Sequence, residues 1–437
     1  MRCGFGAGKR VTMRNPTRLR FVVPRTGFAC IAAALIVLSA CDRKQAELPS
    51  GETDGTDGEE IVALTKPWEK PVPFQKVPKG LTTLSAEECG KCHDAIYNEW
   101  KRSFHAQAWE DPQFQSEWAK DDSLWVCINC HIPLQNQQPE IVTGKIDGDY
   151  FRPVKRDNPN FDPKLREESI TCAACHVRDG YVIGPYGNQR DAPHAVKQDT
   201  VHLSEQLCFR CHNVTDVLNP SLVCVFNTGN EWLAGPYPAL GRNCISCHMP
   251  YVERPLSTAG PPRRTRKHTW IGSGIPKSSA DRVEEVQPMA GYIRGLDVRI
   301  QADRDTYHRG EKAYFTVTLI NQRAGHRLPT GDPEYFYTLH LEAVGGKGDT
   351  LATRTVRIGQ EWKWWPKAEK LSDNRLKPLE ERSYSFSFEI PYEATKVGFR
   401  ARLVTHRMSW ENARFNKLLK HYPLSAEVFN RVVWVLK

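Results

Sequence analysis

Residues 87–109 read EECGKCHDAIYNEWKRSFHAQAW and contain two cysteines and a histidine within five positions. The same arrangement, Cys-x-x-Cys-His, occurs five times and uses ten of the 14 cysteines of the 437-residue chain. The first cysteines of the five copies are 38, 45, 36 and 36 residues apart. The copies begin at Cys89, Cys127, Cys172, Cys208 and Cys244. This loose recurrence indicates one motif in each successive supersecondary unit.

Cys-x-x-Cys-His is the attachment signature of c-type haem. Its two thiols face the vinyl groups of one porphyrin, and the adjacent imidazole reaches the iron from the same side. A structural zinc site needs four ligands. Five units that each hold two cysteines and one histidine do not form such sets of four. The sequence therefore predicts five covalently bound c-type haems. The attaching cysteines are Cys89, Cys92, Cys127, Cys130, Cys172, Cys175, Cys208, Cys211, Cys244 and Cys247, and the proximal iron ligands are His93, His131, His176, His212 and His248.

The ligand at the sixth position of each iron separates electron transfer from catalysis. A second histidine closes the site, whereas an open position lets a substrate bind. Nine histidines remain beside the five proximal ones. One of them, His326, lies in a Gly/Pro-rich loop between two predicted strands, where it could join the two halves of the chain. The candidate distal ligands are His105, His194, His202, His268 and His326.

His105 follows an apolar stripe of Ile96, Trp100 and Phe104 at helical spacing. If one helix continues from His93 through this stripe, His105 lies about 18 Å along the axis from His93. It then cannot ligate the iron of its own motif, and we expect it to ligate a neighbouring one. The alternative is an exposed histidine on a helix.

The charge of the chain is concentrated at its beginning. The net charge is +9, but the first 40 residues hold seven Lys or Arg and no acid, which leaves +2 for the rest. Nucleic acid is therefore not an expected partner.

Residues 28–40, FACIAAALIVLSA, form an apolar run that is short for a membrane span, so residues 1–40 are typical of a signal peptide. The run ends in LSAC, which resembles a bacterial lipobox and predicts a lipid on Cys41; the alternative is ordinary cleavage beside an incidental cysteine.

The pattern of apolar residues changes near residue 290. Before it, long aliphatic runs are missing; after it, apolar residues alternate with polar ones, as in Ala313, Phe315, Val317 and Leu319. This predicts an α+β chain, with a mainly helical, loop-rich haem domain followed by an antiparallel β-sandwich of immunoglobulin type. The predicted organisation is a lipoprotein signal peptide at 1–40, a flexible tether at 41–80, a pentahaem domain at 81–270, a linker at 271–290 and the sandwich at 291–437.

Three segments carry a family resemblance. CGKCHDAIYNEWKRSFHAQA, EWLAGPYPALGRNCISCHMP and AGHRLPTGDPE resemble the multihaem cytochrome c superfamily that contains the tetrahaem electron acceptor of hydroxylamine oxidoreductase and the pentahaem nitrite reductases. The resemblance implies a periplasmic electron-transfer role and allows catalysis on small nitrogen or sulfur species. The chain has no Cys-x-x-Cys-Lys motif, so nitrite ammonification is not expected.

We therefore predict a periplasmic cytochrome that is anchored to the inner or outer membrane by lipid on Cys41. It would pass electrons between a membrane-side, quinol-linked donor and another redox protein. The sequence favours electron transfer over catalysis and assigns no catalytic residue. The alternative is a reductase or oxidase of a small nitrogen or sulfur compound at one haem that lacks a distal histidine. A third hypothesis is a subunit of a larger electron conduit, assembled through the β-domain.

Overall fold

The computed structural model describes residues 58–187, 192–275, 277, 295–420 and 422–436. The predicted signal peptide, Cys41 and most of the predicted linker lie outside the described residues. Thr56–Lys437 forms one unit by its internal contacts, so the haem-motif region and the strand-rich region pack together. No helix in the described ranges is long and apolar enough to cross a lipid bilayer.

The helices before residue 275 are short, and four of them end at the histidine of a motif. Such short helices are typical of a domain whose core is formed by large cofactors and not by helices packed on one another. In order, the helices are α1 (Ala86–Gly90), α2 (Asp94–Lys101), α3 (Pro112–Lys120), α4 (Trp125–His131), α5 (Pro163–Arg166), α6 (Cys172–His176), α7 (Gln206–His212), α8 (Thr228–Leu233), α9 (Cys244–His248) and, in the C-terminal region, α10 (Trp410–Phe415).

The helix that we expected to run through Phe104 ends at Lys101. The backbone N–H of Phe104 donates to the carbonyl of Trp270 at 3.0 Å instead of continuing the helical ladder. His105 consequently lies in a turn and is not carried along the axis of α2.

Short antiparallel hairpins follow three of the motif helices, and this makes the first half of the chain less helical than predicted. One hairpin follows each of His176, His212 and His248. The strands of this half are β1 (Ile61–Ala63), β2 (Glu140–Ile146), β3 (Pro153–Asp157), β4 (Val177–Arg178), β5 (Tyr181–Gly184), β6 (Val196–Gln198), β7 (Val214–Asn219), β8 (Leu222–Phe226), β9 (Tyr251–Pro255) and β10 (Pro262–Arg266).

Residues 58–80, which we expected to belong to a flexible tether, are packed onto the first half of the chain. Strand β1 pairs antiparallel with β2. Trp68 stacks on Tyr150 with ring centres 5.8 Å apart, and Glu69 is fully buried. The acidic and proline-rich composition therefore gave no indication that this segment contributes to the core.

The C-terminal half is built from two antiparallel sheets that face each other. One sheet has the order β11-β12-β16 and the other the order β15-β14-β13-β17-β18. These strands are β11 (Leu296–Ala302), β12 (Lys312–Asn321), β13 (Phe336–Gly345), β14 (Thr350–Lys363), β15 (Glu369–Asp373), β16 (Glu381–Glu389), β17 (Val397–His406) and β18 (Ser425–Leu436).

The predicted alternation places its apolar residues between these two sheets. Ala313, Phe315, Val317 and Leu319 of β12 are all buried, and they pack in one cluster with residues of both sheets. Phe315 stacks on Phe399 of the opposite sheet at 4.4 Å between ring centres. The period of two therefore predicted the core face of the sandwich correctly.

Truncating a buried side chain of the sandwich core tests this packing. Leu341 on β13 is completely buried, whereas Leu371 on β15 is 56% exposed. We expect Leu341→Ala to lower the free energy of unfolding by about 2–5 kcal/mol, because it removes buried methyl groups and leaves a cavity. Leu371→Ala is the matched control and should change it by about 0.5 kcal/mol. Denaturant unfolding followed by circular dichroism measures both, and equal losses would contradict the position of Leu341 in the core.

Candidate haem sites

The five motifs lie next to one another in an order that differs from their order in the chain. The Cys89 thiol of the first motif lies close enough to Cys172 of the third to affect its pKa. The fourth motif is close to two others in the same way, with Cys211 near Cys130 and Cys208 near Cys244. Motifs one and three, two and four, and four and five are therefore direct neighbours.

Backbone carbonyls orient three of the motif histidines. Nδ1 of His93 donates to the carbonyl of Leu256 at 2.7 Å, Nδ1 of His131 to that of Ala108 at 2.5 Å, and Nδ1 of His176 to that of Ile183 at 2.9 Å. Because a carbonyl oxygen can only accept, Nδ1 carries the proton and Nε2 keeps its lone pair for a metal.

Burial keeps four of the motif imidazoles neutral, as a metal ligand must be. Burial lowers the pKa of His131, His212 and His248 to about 4 and that of His176 to about 3. A neutral imidazole retains the lone pair that iron requires.

Three motif histidines each face one second histidine at a constant distance. Two imidazoles that bind one metal from opposite sides, each at about 2 Å, have ring centres about 6 Å apart. The observed distances between ring centres are 6.5 Å for His93 and His194, 6.3 Å for His212 and His105, and 6.2 Å for His248 and His326. The buried Nδ1 of His194 has no hydrogen-bond partner. These spacings fit an iron between the two rings of each pair.

His176 has two histidine neighbours, and their hydrogen bonds distinguish them. The ring centre of His268 is 6.2 Å from that of His176, and that of His202 is 4.8 Å away. Nδ1 of His268 donates to the carbonyl of Arg266 at 3.0 Å, which leaves Nε2 free. In His202 it is Nε2 that donates, to the carbonyl of Cys175 at 3.0 Å. The free Nε2 and the 6 Å spacing both favour His268 as the ligand.

His131 has a different environment. Phe114 of α3 stacks on its imidazole face, with ring centres 3.5 Å apart and planes 11° from parallel. Trp109 and Trp118 in turn contact Phe114. In the parts of the chain that the structure describes, no histidine ring pairs with His131. Four of the five candidate distal histidines thus lie across from a motif histidine. The fifth, His202, is a second neighbour of His176. Among the described residues, no candidate lies across from His131 of the second motif.

Comparison with known proteins finds two similarities that bear on the haem motifs. The family model for cytochrome c554 and c-prime matches residues 88–149, a segment that contains the first two motifs. A penta-heme cytochrome c552 from Thermochromatium tepidum is similar in structure, with a TM-score of 0.56 and 18% sequence identity, over 82% of this chain and 100% of that one. Together these matches support a multihaem c-type cytochrome.

The other comparisons add little to this result. The sporulation control protein Spo0M of Bacillus subtilis matches 33% of this chain and 51% of its own, at 13% identity and a TM-score of 0.15, and carries no argument. The comparison with curated proteins finds no match. The similarity to the cytochrome c552 is one of fold, since its identity is low, while cytochrome c character supports covalently bound haem and electron transfer in general.

The structure also assigns roles to residues that the sequence did not single out. Glu99 of α2 accepts two hydrogen bonds from Arg254, at 2.7 and 2.9 Å, and a third from the backbone N–H of His268 at 2.9 Å. Trp270 lies between two candidate ligands, 4.6 Å from His105 and 5.1 Å from His268 between ring centres. The partners of Glu99 are 155 and 169 residues away, so no local pattern could have indicated them.

A buried charge network connects the segments around the second and fourth motifs. Glu69 accepts hydrogen bonds from Lys145 and from the Tyr150 hydroxyl, the latter at 2.8 Å. Tyr150 also donates to Asp216, in the strand after the fourth motif, at 2.6 Å. Its backbone carbonyl accepts from the indole of Trp125, the first residue of α4, at 2.9 Å.

This network predicts a specific loss of stability in acid. Burial alone would raise the pKa of Glu69, but its hydrogen bonds with Lys145, Tyr150 and the backbone lower it from 4.5 to about 2. Because the folded-state pKa is the lower one, ionised Glu69 stabilises the fold above about pH 4.5, and this contribution of about 3 kcal/mol is lost as the pH falls toward 2.

The free energy of unfolding, measured from pH 6 to pH 2, should therefore fall less steeply in Glu69→Gln than in the wild type. Glu140→Gln is the control, because the ion pair of Glu140 with Lys155 is half exposed, and it should retain the wild-type slope. Identical slopes in the Glu69 variant and the wild type would contradict the contribution of the network.

Proposed function

We propose that the chain is a periplasmic, lipid-anchored pentahaem cytochrome c that passes electrons between a membrane-side donor and another redox protein. The observation that carries this proposal is the set of four histidine pairs with ring centres 6.2–6.5 Å apart, each containing the histidine of a Cys-x-x-Cys-His motif. A site closed by two histidines holds its iron for electron transfer and leaves no room for a substrate.

The distal ligands follow from the pairs. His202 packs on His176 without ligating, because its Nε2 is engaged with the carbonyl of Cys175. The proposed pairs of proximal and distal ligands are His93 with His194, His176 with His268, His212 with His105, and His248 with His326.

Adjacent motifs provide the route for electrons. When bound, haem supplies the one-electron chemistry, and the protein contributes orientation, spacing and a buried environment. The attachment cysteines of motifs one and three, two and four, and four and five lie close together, so neighbouring haem attachment sites are adjacent. The fourth motif joins the second to the fifth, so electrons entering at either could leave at the other.

The location and anchor in this proposal rest on the sequence. The basic residues, the apolar run and the LSAC ending of residues 1–41 support export and lipidation of Cys41. Periplasmic attachment of haem after export agrees with ten cysteines in thioether motifs. The proposed donors are quinol-linked proteins of the membrane, and the proposed acceptor is another redox protein.

The second motif supports a second candidate function, the reduction or oxidation of a small nitrogen or sulfur compound. His131 has no histidine across from it among the described residues, so an iron bound there would keep an open sixth position. Phe114 covers the face of the His131 imidazole, and Trp109 and Trp118 pack on Phe114, so this apolar cluster would support the proximal ligand of that iron.

Electron paramagnetic resonance of the oxidised protein separates the two functions. We expect four low-spin ferric haems and one high-spin haem, because four motif histidines have a histidine partner and His131 has none among the described residues. If the high-spin signal does not change with nitrite, hydroxylamine or sulfite, the electron-transfer function stands alone. A shift on addition of one of them would support the enzymatic function, and more than one high-spin haem would contradict the proposed ligand pairs.

Replacing the two neighbours of His176 tests their assignment. His268→Ala removes the proposed ligand and should convert one low-spin haem per chain to high spin. His202→Ala is the matched control, since it removes a ring that is even closer to His176 but should leave all low-spin signals in place. The opposite result would exchange the roles of the two histidines.

A further inference from the structure

The loop between β12 and β13 carries His326 from the C-terminal sandwich to the fifth motif. It packs on the first half of the chain at several points: the Tyr237 hydroxyl donates to the carbonyl of Gln322 at 2.9 Å, and the Thr228 and Thr330 hydroxyls are 2.9 Å apart. The ligand proposed for the fifth haem therefore belongs to one half of the chain, and its motif to the other.

A single carboxylate of the first half holds this loop. Oε2 of Glu231, on α8, accepts the backbone N–H of Arg327 at 3.2 Å and the hydroxyl of Thr330 at 2.7 Å. Its other oxygen accepts from the guanidinium of Arg375 at 2.6 Å, and the same guanidinium reaches the carbonyl of Pro329 at 3.3 Å. Glu231 thus contacts the loop directly and through Arg375.

These contacts continue to the His326 ring. Nδ1 of His326 donates to the carbonyl of Arg327 at 2.8 Å. The backbone N–H of Arg327 is in turn bound by Glu231, so Glu231 orients the His326 ring through Arg327. The amide of Asn321 donates to the carbonyl of His326 at 2.8 Å. The ring is therefore held with Nε2 free and directed toward His248, 6.2 Å away between ring centres.

Burial makes this anchor sensitive to change. The side chains of Glu231 and Arg375 are each only 7% exposed, and Arg375 is also paired with Asp373. Removing one member of a buried ion pair leaves the other charge without compensation, which is far more costly than losing a surface pair.

We propose that Glu231 is a positioning residue that holds His326 in place as the distal ligand of the fifth haem. Docking of the sandwich onto the haem region would then determine the coordination of one iron. This inference rests on the proposed ligation by His326.

The test is the spin state of the oxidised, haem-loaded full-length protein. Glu231→Gln keeps the size of the side chain but turns one acceptor oxygen into a donor that faces other donors. We expect this variant to lose one low-spin haem per chain and to gain one high-spin haem, and Glu231→Asp to recover part of the low-spin signal.

The matched control is Glu342→Gln. Glu342 is equally buried and ion-paired, but its partners Arg400 and Arg402 lie within the sandwich, so any loss of stability should leave the spin states unchanged. A Glu231→Gln spectrum with the same high-spin content as the control would overturn the positioning role.

Three further variants keep the test decisive if Glu231→Gln does not fold. Thr330→Val removes only one hydrogen bond to Glu231 and should give a partial high-spin signal even if Glu231→Gln does not fold. Thr355→Val, which removes a hydroxyl bonded to His340 within the sandwich, is its control. If Glu231→Gln does not fold, an unchanged spectrum for Thr330→Val overturns the proposal. His326→Ala tests the ligation separately: if it adds no high-spin haem to the wild-type spectrum, the ligand assignment fails, whereas an added high-spin haem in that variant alone leaves the ligation intact and refutes only the role of Glu231.

Discussion

Ligation of one iron by two histidines requires ring centres about 6 Å apart on opposite sides of the metal, and this spacing governs how the chain folds back on itself. The motif supplies the first ring through the adjacent residue. The second ring comes from a distant part of the chain in each of the four proposed pairs: a loop before β6, the turn after α2, the segment after β10 and the loop after β12. Each of these segments is placed by contacts with another motif region or with the opposite half of the chain.

Because the second rings come from loops, their positions depend on hydrogen bonds that fix backbone as well as side chain. Glu99 and Glu231 perform the same task at two sites. Each is a buried carboxylate that is paired with an arginine and accepts a backbone N–H from the segment that presents a histidine. A buried carboxylate needs several donors to offset its lost hydration, and those donors are the groups that must be held still.

The second motif differs, because none of the histidines that the structure describes lies across from His131. The imidazole of His131 is still oriented by a backbone carbonyl, but its face is covered by Phe114 within a cluster of aromatic rings. This aromatic packing holds the ring without a second ligand. The same fold can therefore combine closed sites for electron transfer with one site that a small molecule could reach.

The local patterns of the sequence determined the haem chemistry, because attachment uses residues within five positions of one another. They also determined the core face of the sandwich, since alternation in a strand such as β12 directs every second side chain inward. The packed segment at residues 58–80 was not predictable, because the partners that pack it onto the chain include Asn129 at Trp68 and Tyr150 at Glu69, each more than 60 residues away. Likewise, composition and spacing could name His202 and His268 as candidates but could not rank them. Only the tertiary structure decided between them, because the free Nε2 of His268 and the engaged Nε2 of His202 depend on which carbonyl each ring meets in the folded chain.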